Sequence, residues 1–325
     1  MFCEMDPPIG DSISRTSPGR WTLGSLMICE KVDDPESKPA DAIASWQDDD
    51  GTFYLRKSSA NELSGAGDVE SDRIHVGGTS GAVWCLGKDA FCKVHAWCEG
   101  LELEANTMRF VREKAPSVPI PELVHSWIDH DLNRTFLITK RVPGQILERV
   151  WPRLSPPQRT RIAEDIAGFC ATLAANTSSR FETVTGCGVY EPRLMESAPD
   201  SYPTWKPRTL GPLSQEPLRA YLTKASTEPA PDIDPLFHFY HADLGPTNIM
   251  LSEDGGRVTG IIDWESAAYY PRFWIATKPA TSGAFYLECE TDDPKLWGQL
   301  LGQVLETHDY ERADAVFRRW YNSVP

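Results

Sequence analysis

Positive charge is scarce in this sequence. Its 325 residues carry 32 lysines and arginines against 47 aspartates and glutamates, a net charge of -15. A nucleic-acid binder needs cationic surface to displace counterions from phosphates, so that class is disfavoured. Docking on an anionic membrane is disfavoured for the same reason. No apolar run reaches the length that spans a bilayer. The opening Met1-Phe2-Cys3-Glu4-Met5-Asp6 lacks the cationic region and apolar stretch of a secretory signal. The expected compartment is therefore the cytoplasm. The eight cysteines include no CxxC pair, and Cys85, Cys92 and Cys98 are spaced unlike a zinc site. They are expected to be reduced and to serve as small apolar side chains. An acidic surface suits a neutral or cationic substrate.

What is present divides along the chain. Residues 1–70 are rich in Pro, Ser, Asp and Gly, with acidic runs at Asp33-Asp34 and Asp48-Asp49-Asp50. Such composition buries little apolar surface, and the segment is expected to be partly disordered and dispensable for folding. Trp21–Ile28 and Thr52–Leu55 are its two candidates for order. The competing reading makes one of them an extra strand on the small lobe that begins near Arg73.

From Arg73 the pattern tightens. Arg73–Val76, Ala82–Leu86 and Ala90–Val94 read as strands separated by the glycine-rich turn Gly77-Gly78-Thr79-Ser80-Gly81 and by Gly87-Lys88-Asp89. Leu101–Lys114 has helical spacing, with Leu101, Ala105, Met108 and Val111 on one face. Leu123–Ile128 and Thr135–Thr139 read as two further strands, and Pro143-Gly144 interrupts the chain. Beyond it Ser155, Pro156 and Pro157 open a helix with Ile162, Ile166, Phe169 and Leu173 at helical intervals. Lys295–Thr307 and Tyr310–Tyr321 read as two more helices. Residues 186–236 are too rich in proline for an assignment.

The chemistry sits in His241-Ala242-Asp243-Leu244-Gly245-Pro246-Thr247-Asn248, followed by the apolar strand Val258–Ile262 that ends at Asp263. This is H-x-D, an asparagine five residues after the aspartate, then a second aspartate. Phosphoryl transfer asks a protein mainly for positioning and charge neutralisation. A carboxylate must accept or orient the acceptor hydroxyl, the role expected of Asp243. Hard oxygen ligands must hold magnesium against the phosphates, the role expected of Asn248 and Asp263.

This segment resembles the signature of the aminoglycoside phosphotransferase and choline kinase superfamily, relatives of the protein kinases, and is most similar to its fungal branch. The resemblance covers roughly residues 73–325. It implies an α+β, two-lobed protein-kinase-like fold: a small antiparallel-sheet N-lobe with one helix over 71–142, and a larger, mainly helical C-lobe over 143–325. It also implies ATP and Mg2+ as cofactors, and a small molecule bearing a hydroxyl as acceptor. Lys93, on the third strand, takes the place of the family lysine that holds the α- and β-phosphates. Glu104 on the next helix is its expected partner, ahead of Glu102, which lies on another face. Gly77, Gly78, Thr79, Ser80 and Gly81 are expected over the phosphates, although their spacing departs from the protein-kinase G-x-G-x-x-G. The stretch Leu137–Gly144 resembles the hinge between lobes. Backbone groups near Lys140 and Val142 are expected at the adenine edge, with Val83, Ile138, Met250 and Ile262 as apolar faces around it. The resemblance makes His241 a brace of the catalytic loop. Glu265 has two readings, a contact to a cationic substrate or a local cap.

Two other functions compete. A catalytically silent kinase-like nucleotide-binding scaffold would be marked by loss of Lys93, Asp243, Asn248 or Asp263, and all four are present. A protein kinase would need a long activation segment ending in A-P-E. Here Asp263 is followed after eight residues by Pro271, which favours a pocket for a small molecule. The fold does not select the acceptor. The deciding residues are expected in 186–236 and 265–290.

Overall fold

The computed structural model describes residues 8–323 except 35–36, 50, 60–71, 78–79, 196–200, 204–205, 225–228 and 289–291. The chain forms two compact units. The first takes in the described residues of 1–99, 121–141 and 198–207, and the second those of 100–120, 142–197 and 208–325.

The first unit is built from two five-stranded antiparallel sheets. One holds β1 (Ile13–Ser17), β2 (Arg20–Leu23), β3 (Met27–Val32), β4 (Ala42–Asp48) and β5 (Gly51–Lys57) in the order β1-β2-β3-β5-β4. The other holds β6 (Arg73–Gly77), β7 (Gly81–Leu86), β8 (Ala90–Ala96), β9 (Leu123–Asp129) and β10 (Arg134–Lys140) in the order β6-β7-β8-β10-β9. Strand β8 shows why the sheets stack. Its side chains alternate between buried and half-buried, with Cys92, Val94 and Ala96 on the covered face and Lys93 and His95 on the other. The covered face, with Trp84, Phe136 and Ile138, shares one core with Trp21, Leu23, Cys29, Trp46, Phe53 and Leu55 of the first sheet.

Two aspartates fasten the sheets reciprocally. Asp129 on β9 is fully buried and accepts from the Ser25 N–H at 2.6 Å and the Ser25 hydroxyl at 2.9 Å, in the turn between β2 and β3. Asp48 on β4 accepts from the Lys88 N–H at 2.7 Å, in the turn between β7 and β8. Both turns need glycine beside the carboxylate. A Cβ on Gly24 (φ +62) would lie 2.3 Å from Asp129 Oδ2, and one on Gly87 (φ +75) 2.0 Å from Asp48 Oδ2.

Residues 1–70 therefore differ from expectation. The described part from Ile9 to Lys57 is not disordered but supplies a complete sheet, and Asp48, read as part of an acidic run, is a buried fastening. Composition averaged over the whole segment hid the short alternations, because Pro18, Gly19, Gly24, Asp33, Asp34, Pro39 and Asp41 sit in the connections between strands. The two stretches marked as candidates for order are parts of β2, β3 and β5. Ile138 is the second departure. It pairs with Cys92 and lies in the core between the sheets, whereas Val83, Lys93 and Leu137 are paired partners on the opposite face. Ile138 thus cannot share an apolar face with Val83.

In the second unit α1 (Glu104–Lys114) begins three residues later than expected, because Leu103 is still extended (φ -85, ψ 122). Strand β11 (Gln145–Ile146) and the short helix α2 (Leu147–Val150) come after the Pro143-Gly144 break. A Cβ on Gly144 (φ +112) would sit 1.8 Å from the Leu251 carbonyl oxygen, so only glycine lets the chain pass here. Helix α3 (Pro156–Ala174) opens as expected at Ser155, whose N–H donates to Gln158 Oε1 at 2.9 Å. It buries Ile162, Ile166, Cys170 and Leu173.

Short strands β12 (Thr177–Ser178), β13 (Arg180–Phe181) and β14 (Leu213–Ser214) and helix α4 (Gln215–Lys224) occupy the proline-rich region. Strands β15 (Phe237–Tyr240), β16 (Ile249–Leu251), β17 (Val258–Ile261) and β18 (Ala268–Pro271) carry the motif-bearing loops. The unit ends with α5 (Arg272–Thr281), α6 (Leu296–Thr307) and α7 (Asp314–Ser323). Among the described residues, no helix is long and apolar enough to cross a membrane.

The shared core generates the first test. Deleting residues 1–58 strips one whole face of the β6–β10 sheet, so the truncated chain should be insoluble or melt far below the full chain. Trp46 is 3% exposed and stacks on Phe53 at 5.5 Å. Trp46→Ala should cost about 3–5 kcal/mol in chemical denaturation. A truncated chain that is soluble and melts with the full one would contradict this packing.

Candidate active site

The loop between β15 and β16 carries His241, Asp243 and Asn248, and β17 delivers Asp263 to the same place. His241 is fully buried and makes the junction. Its Nε2 lies 3.0 Å from the Ile262 carbonyl oxygen, and its Nδ1 accepts from the Asp243 N–H at 3.2 Å. A carbonyl oxygen can only accept, so Nε2 carries the proton and the ring is neutral. Both nitrogens are thus bonded to backbone, and the ring joins the segment of Asp243 to that of Ile262. The Trp264 ring meets its edge at 4.6 Å.

Asn248 is buried, and its amide nitrogen donates to both the Asp243 carbonyl and Asp243 Oδ2, each at 2.9 Å. Its amide oxygen is thereby the atom left to serve as a ligand. The Ile262 N–H donates to the Asn248 carbonyl at 3.0 Å, which extends the β16–β17 pairing to the residue before Asp263. Asp263 itself adopts a left-handed conformation (φ +67), a region aspartate tolerates better than most residues.

Electrostatics reflect the crowding. Burial is the main reason the Asp243 carboxyl is pushed up to about 6, and the Asp263 charge adds to it. Glu191 and Glu265 push the same way, and Lys278 opposes them. Carboxylate oxygens of Glu104, Asp263 and Glu265 lie within 4.8 Å of one another, a set of hard donors suited to a divalent cation. Glu104 also accepts from the Trp264 N–H at 2.9 Å, which fixes the backbone just after Asp263. Glu102 works elsewhere: it receives the Thr185 N–H at 3.0 Å and the Asn106 amide at 3.0 Å, tying the start of α1 to a distant turn. Glu265 therefore joins an acidic cluster, which neither of its two sequence readings described.

The other expected residues are distributed over both units. On the first unit Val83, Lys93 and Leu137 occupy the face of the β6–β10 sheet turned away from β1–β5. Gly77 pairs with Gly81, and the Ser80 N–H reaches the Gly77 carbonyl at 3.3 Å. Gly78 and Thr79 lie outside the described residues. The Lys140 N–H is already committed to the Glu122 carbonyl at 2.9 Å, and the Arg141 N–H to the Asp89 carbonyl at 2.8 Å. On the second unit the Val142 N–H has no protein acceptor among the described residues. Val142 packs over Gly260, where a Cβ would come within 2.6 Å of it, and Gly260 pairs with Met250. Met250 and Ile262 are both half-buried beside this contact.

A family model described as the phosphotransferase enzyme family (APH) matches residues 64–274, well over half the chain. The chain belongs to that family. The match leaves out β1–β5, α6 and α7. Among solved structures the family member resembles an aminoglycoside 3'-phosphotransferase of type VIII, at 20% identity over 78% of this chain and 93% of that one, with a TM-score of 0.46. It also resembles the GDP complex of an aminoglycoside 2'-phosphotransferase (19%, 82% and 84%, 0.46) and an aminoglycoside phosphotransferase from Streptomyces rimosus (18%, 78% and 92%, 0.45). The family assignment rests on the model match alone. A comparison with curated proteins gives no match.

Sequence reasoning missed a buried ion pair behind this site. Lys278 Nζ on α5 meets Glu191 Oε2 at 2.5 Å, with side chains 6% and 0% exposed. Glu191 Oε1 also accepts the Arg193 N–H at 2.9 Å. The pair joins the two segments, 186–236 and 265–290, in which the residues that select the acceptor are expected. Lys278→Met would strand the Glu191 carboxylate in the interior, at a cost of about 3–5 kcal/mol. The double variant with Glu191→Gln should recover most of that loss in the same denaturation experiment. Equal stability of Lys278→Met and the parent would contradict the burial of the pair.

Proposed function

We propose that the protein transfers the γ-phosphate of ATP to a hydroxyl group of a small molecule. The observation that carries this reading is the closure of the 241–248 loop on the end of β17, which gathers Asp243, Asn248 and Asp263 through backbone and side-chain hydrogen bonds. Asp243 accepts the proton of the acceptor hydroxyl as its oxygen bonds to the γ-phosphorus. The bond from that phosphorus to the bridging oxygen breaks, and ADP leaves. Asn248, through its amide oxygen, and the Asp263 carboxylate would hold magnesium, which when bound neutralises charge on the phosphates. Lys93 is assigned to the α- and β-phosphates and the glycine-rich turn to the phosphate oxygens.

For the adenine, the commitments of the Lys140 and Arg141 N–H groups favour the Val142 N–H as donor. Val83, Met250 and Ile262 are assigned to the apolar faces around the ring. A small acceptor is favoured over a peptide by the short path from Asp263 to α5, which leaves no room for a long activation segment. The acidic cluster of Glu104, Asp263 and Glu265 and the net charge of -15 agree with a neutral or cationic acceptor. A cytoplasmic setting, where ATP and magnesium are both abundant, suits the reaction.

The test is a screen of hydroxylated metabolites for ATP-dependent gain of one phosphate, followed by variants on the compound found. Asp243→Asn keeps the shape and the bond from Asn248 but removes the base. Its turnover should fall by about 10²–10⁴-fold with Mg-ATP affinity near normal. Lys93→Met should instead weaken Mg-ATP binding without lowering the melting temperature of the free protein. Undiminished turnover in Asp243→Asn would move the active site elsewhere.

A further inference from the structure

Helix α6 lies beyond the residues matched by the family model, yet it touches the catalytic loop. Trp297, fully buried, donates its indole N–H to the Leu244 carbonyl at 3.0 Å. Leu244 is the residue after Asp243. The next residue, Gly245, is pressed against the turn Gly283–Phe285 that follows α5: a Cβ there would lie 2.1 Å from the Ala284 carbonyl oxygen. Helix α6 is itself seated closely, since a Cβ on Gly298 would lie 2.4 Å from the Pro279 carbonyl oxygen of α5. A second indole packs beside it: the Trp151 ring lies edge-on at 6.0 Å, and its own N–H is turned away from the loop, to Asp292 Oδ2 at 3.0 Å. Arg159 lies 2.9 Å from Asp292 Oδ2 and stacks 4.5 Å from the Trp151 ring centre.

We propose that Trp297 is a positioning residue for the reaction: by holding the Leu244 carbonyl it fixes the chain immediately after Asp243. This rests on the reading of Asp243 as the base. His241 accepts from the N–H of Asp243 and Trp297 donates to the carbonyl of Leu244, so the Asp243–Leu244 dipeptide is held at both ends by rigid aromatic groups. Without the second clamp the carboxylate samples poses away from the acceptor, and displacement of about 1 Å at such a site can cost on the order of 10²-fold in rate.

The pair of indoles provides its own control. Trp297→Phe and Trp151→Phe each keep a ring in the cluster and each remove one buried N–H donor at 3.0 Å. Only the first donor reaches the catalytic loop. Two measurements decide. By hydrogen exchange, the 241–250 peptide of Trp297→Phe should lose protection about 10-fold or more, while Trp151→Phe leaves that peptide unchanged. On an acceptor phosphorylated by the parent, Trp297→Phe should lower kcat by about 10–100-fold with KM for Mg-ATP within about twofold. Trp151→Phe should change kcat by less than about twofold, even where its melting temperature falls as much.

Unchanged exchange in 241–250 of a folded Trp297→Phe overturns the proposal whether or not an acceptor is known. So does an equal fall of kcat in both variants, which would make the cluster merely structural. If the exchange result holds while Asp243→Asn keeps full turnover, the clamp stands as a structural fact and its catalytic role falls with the assignment of the base.

Discussion

A single neutral imidazole sets the geometry on which the site depends. His241 has two nitrogens, and each is bound to a different backbone segment: the one that carries Asp243 and the one that ends at Asp263. A lysine or arginine offers only donors and a carboxylate only acceptors when ionised, so neither could bind an N–H and a carbonyl at once. Burial keeps the arrangement dry and holds the ring in one tautomer. The chemical groups are then set at short range: Asn248 aligned on Asp243, Asp263 turned by its left-handed backbone, and Glu104 bound to the next N–H.

The first unit solves a different problem. Its β6–β10 sheet has two faces, and alternation assigns them different work. One face is buried against β1–β5 by a core containing Trp21, Trp46 and Trp84, and the other presents Val83, Lys93 and Leu137. The N-terminal sheet therefore stabilises the strand bearing Lys93 without covering the lysine's own face. Asp48 and Asp129 set the register of the stack, since each carboxylate must find a particular turn on the opposite sheet.

These parts were unequally legible in the sequence. The β6–β10 strands, α3 and the helices near the end announced themselves by period and by breakers such as Gly87 and the Ser155-Pro156-Pro157 start. The H-x-D motif with Asn248 and Asp263 was readable because several constrained residue types coincide at fixed intervals. The N-terminal sheet was not, because its strands are short and its polar turns dominate the composition. Ile138 was misplaced since an apolar strand buried on one face and half-buried on the other gives no sign of which face is which; pairing with Cys92 decides it. The Glu191–Lys278 pair and the contact of Trp297 with Leu244 join residues 87 and 53 positions apart, distances over which a single sequence carries no pairing signal.

The central claim is that the gathered carboxylates form a magnesium-dependent nucleotide site. Calorimetric titration of ATP into the full chain, with magnesium and again with a chelator, tests it most directly. The account predicts saturable binding that requires magnesium in the parent and is lost in Asp263→Ala. ATP binding of equal strength with chelator present, or retained in full by Asp263→Ala, would contradict it.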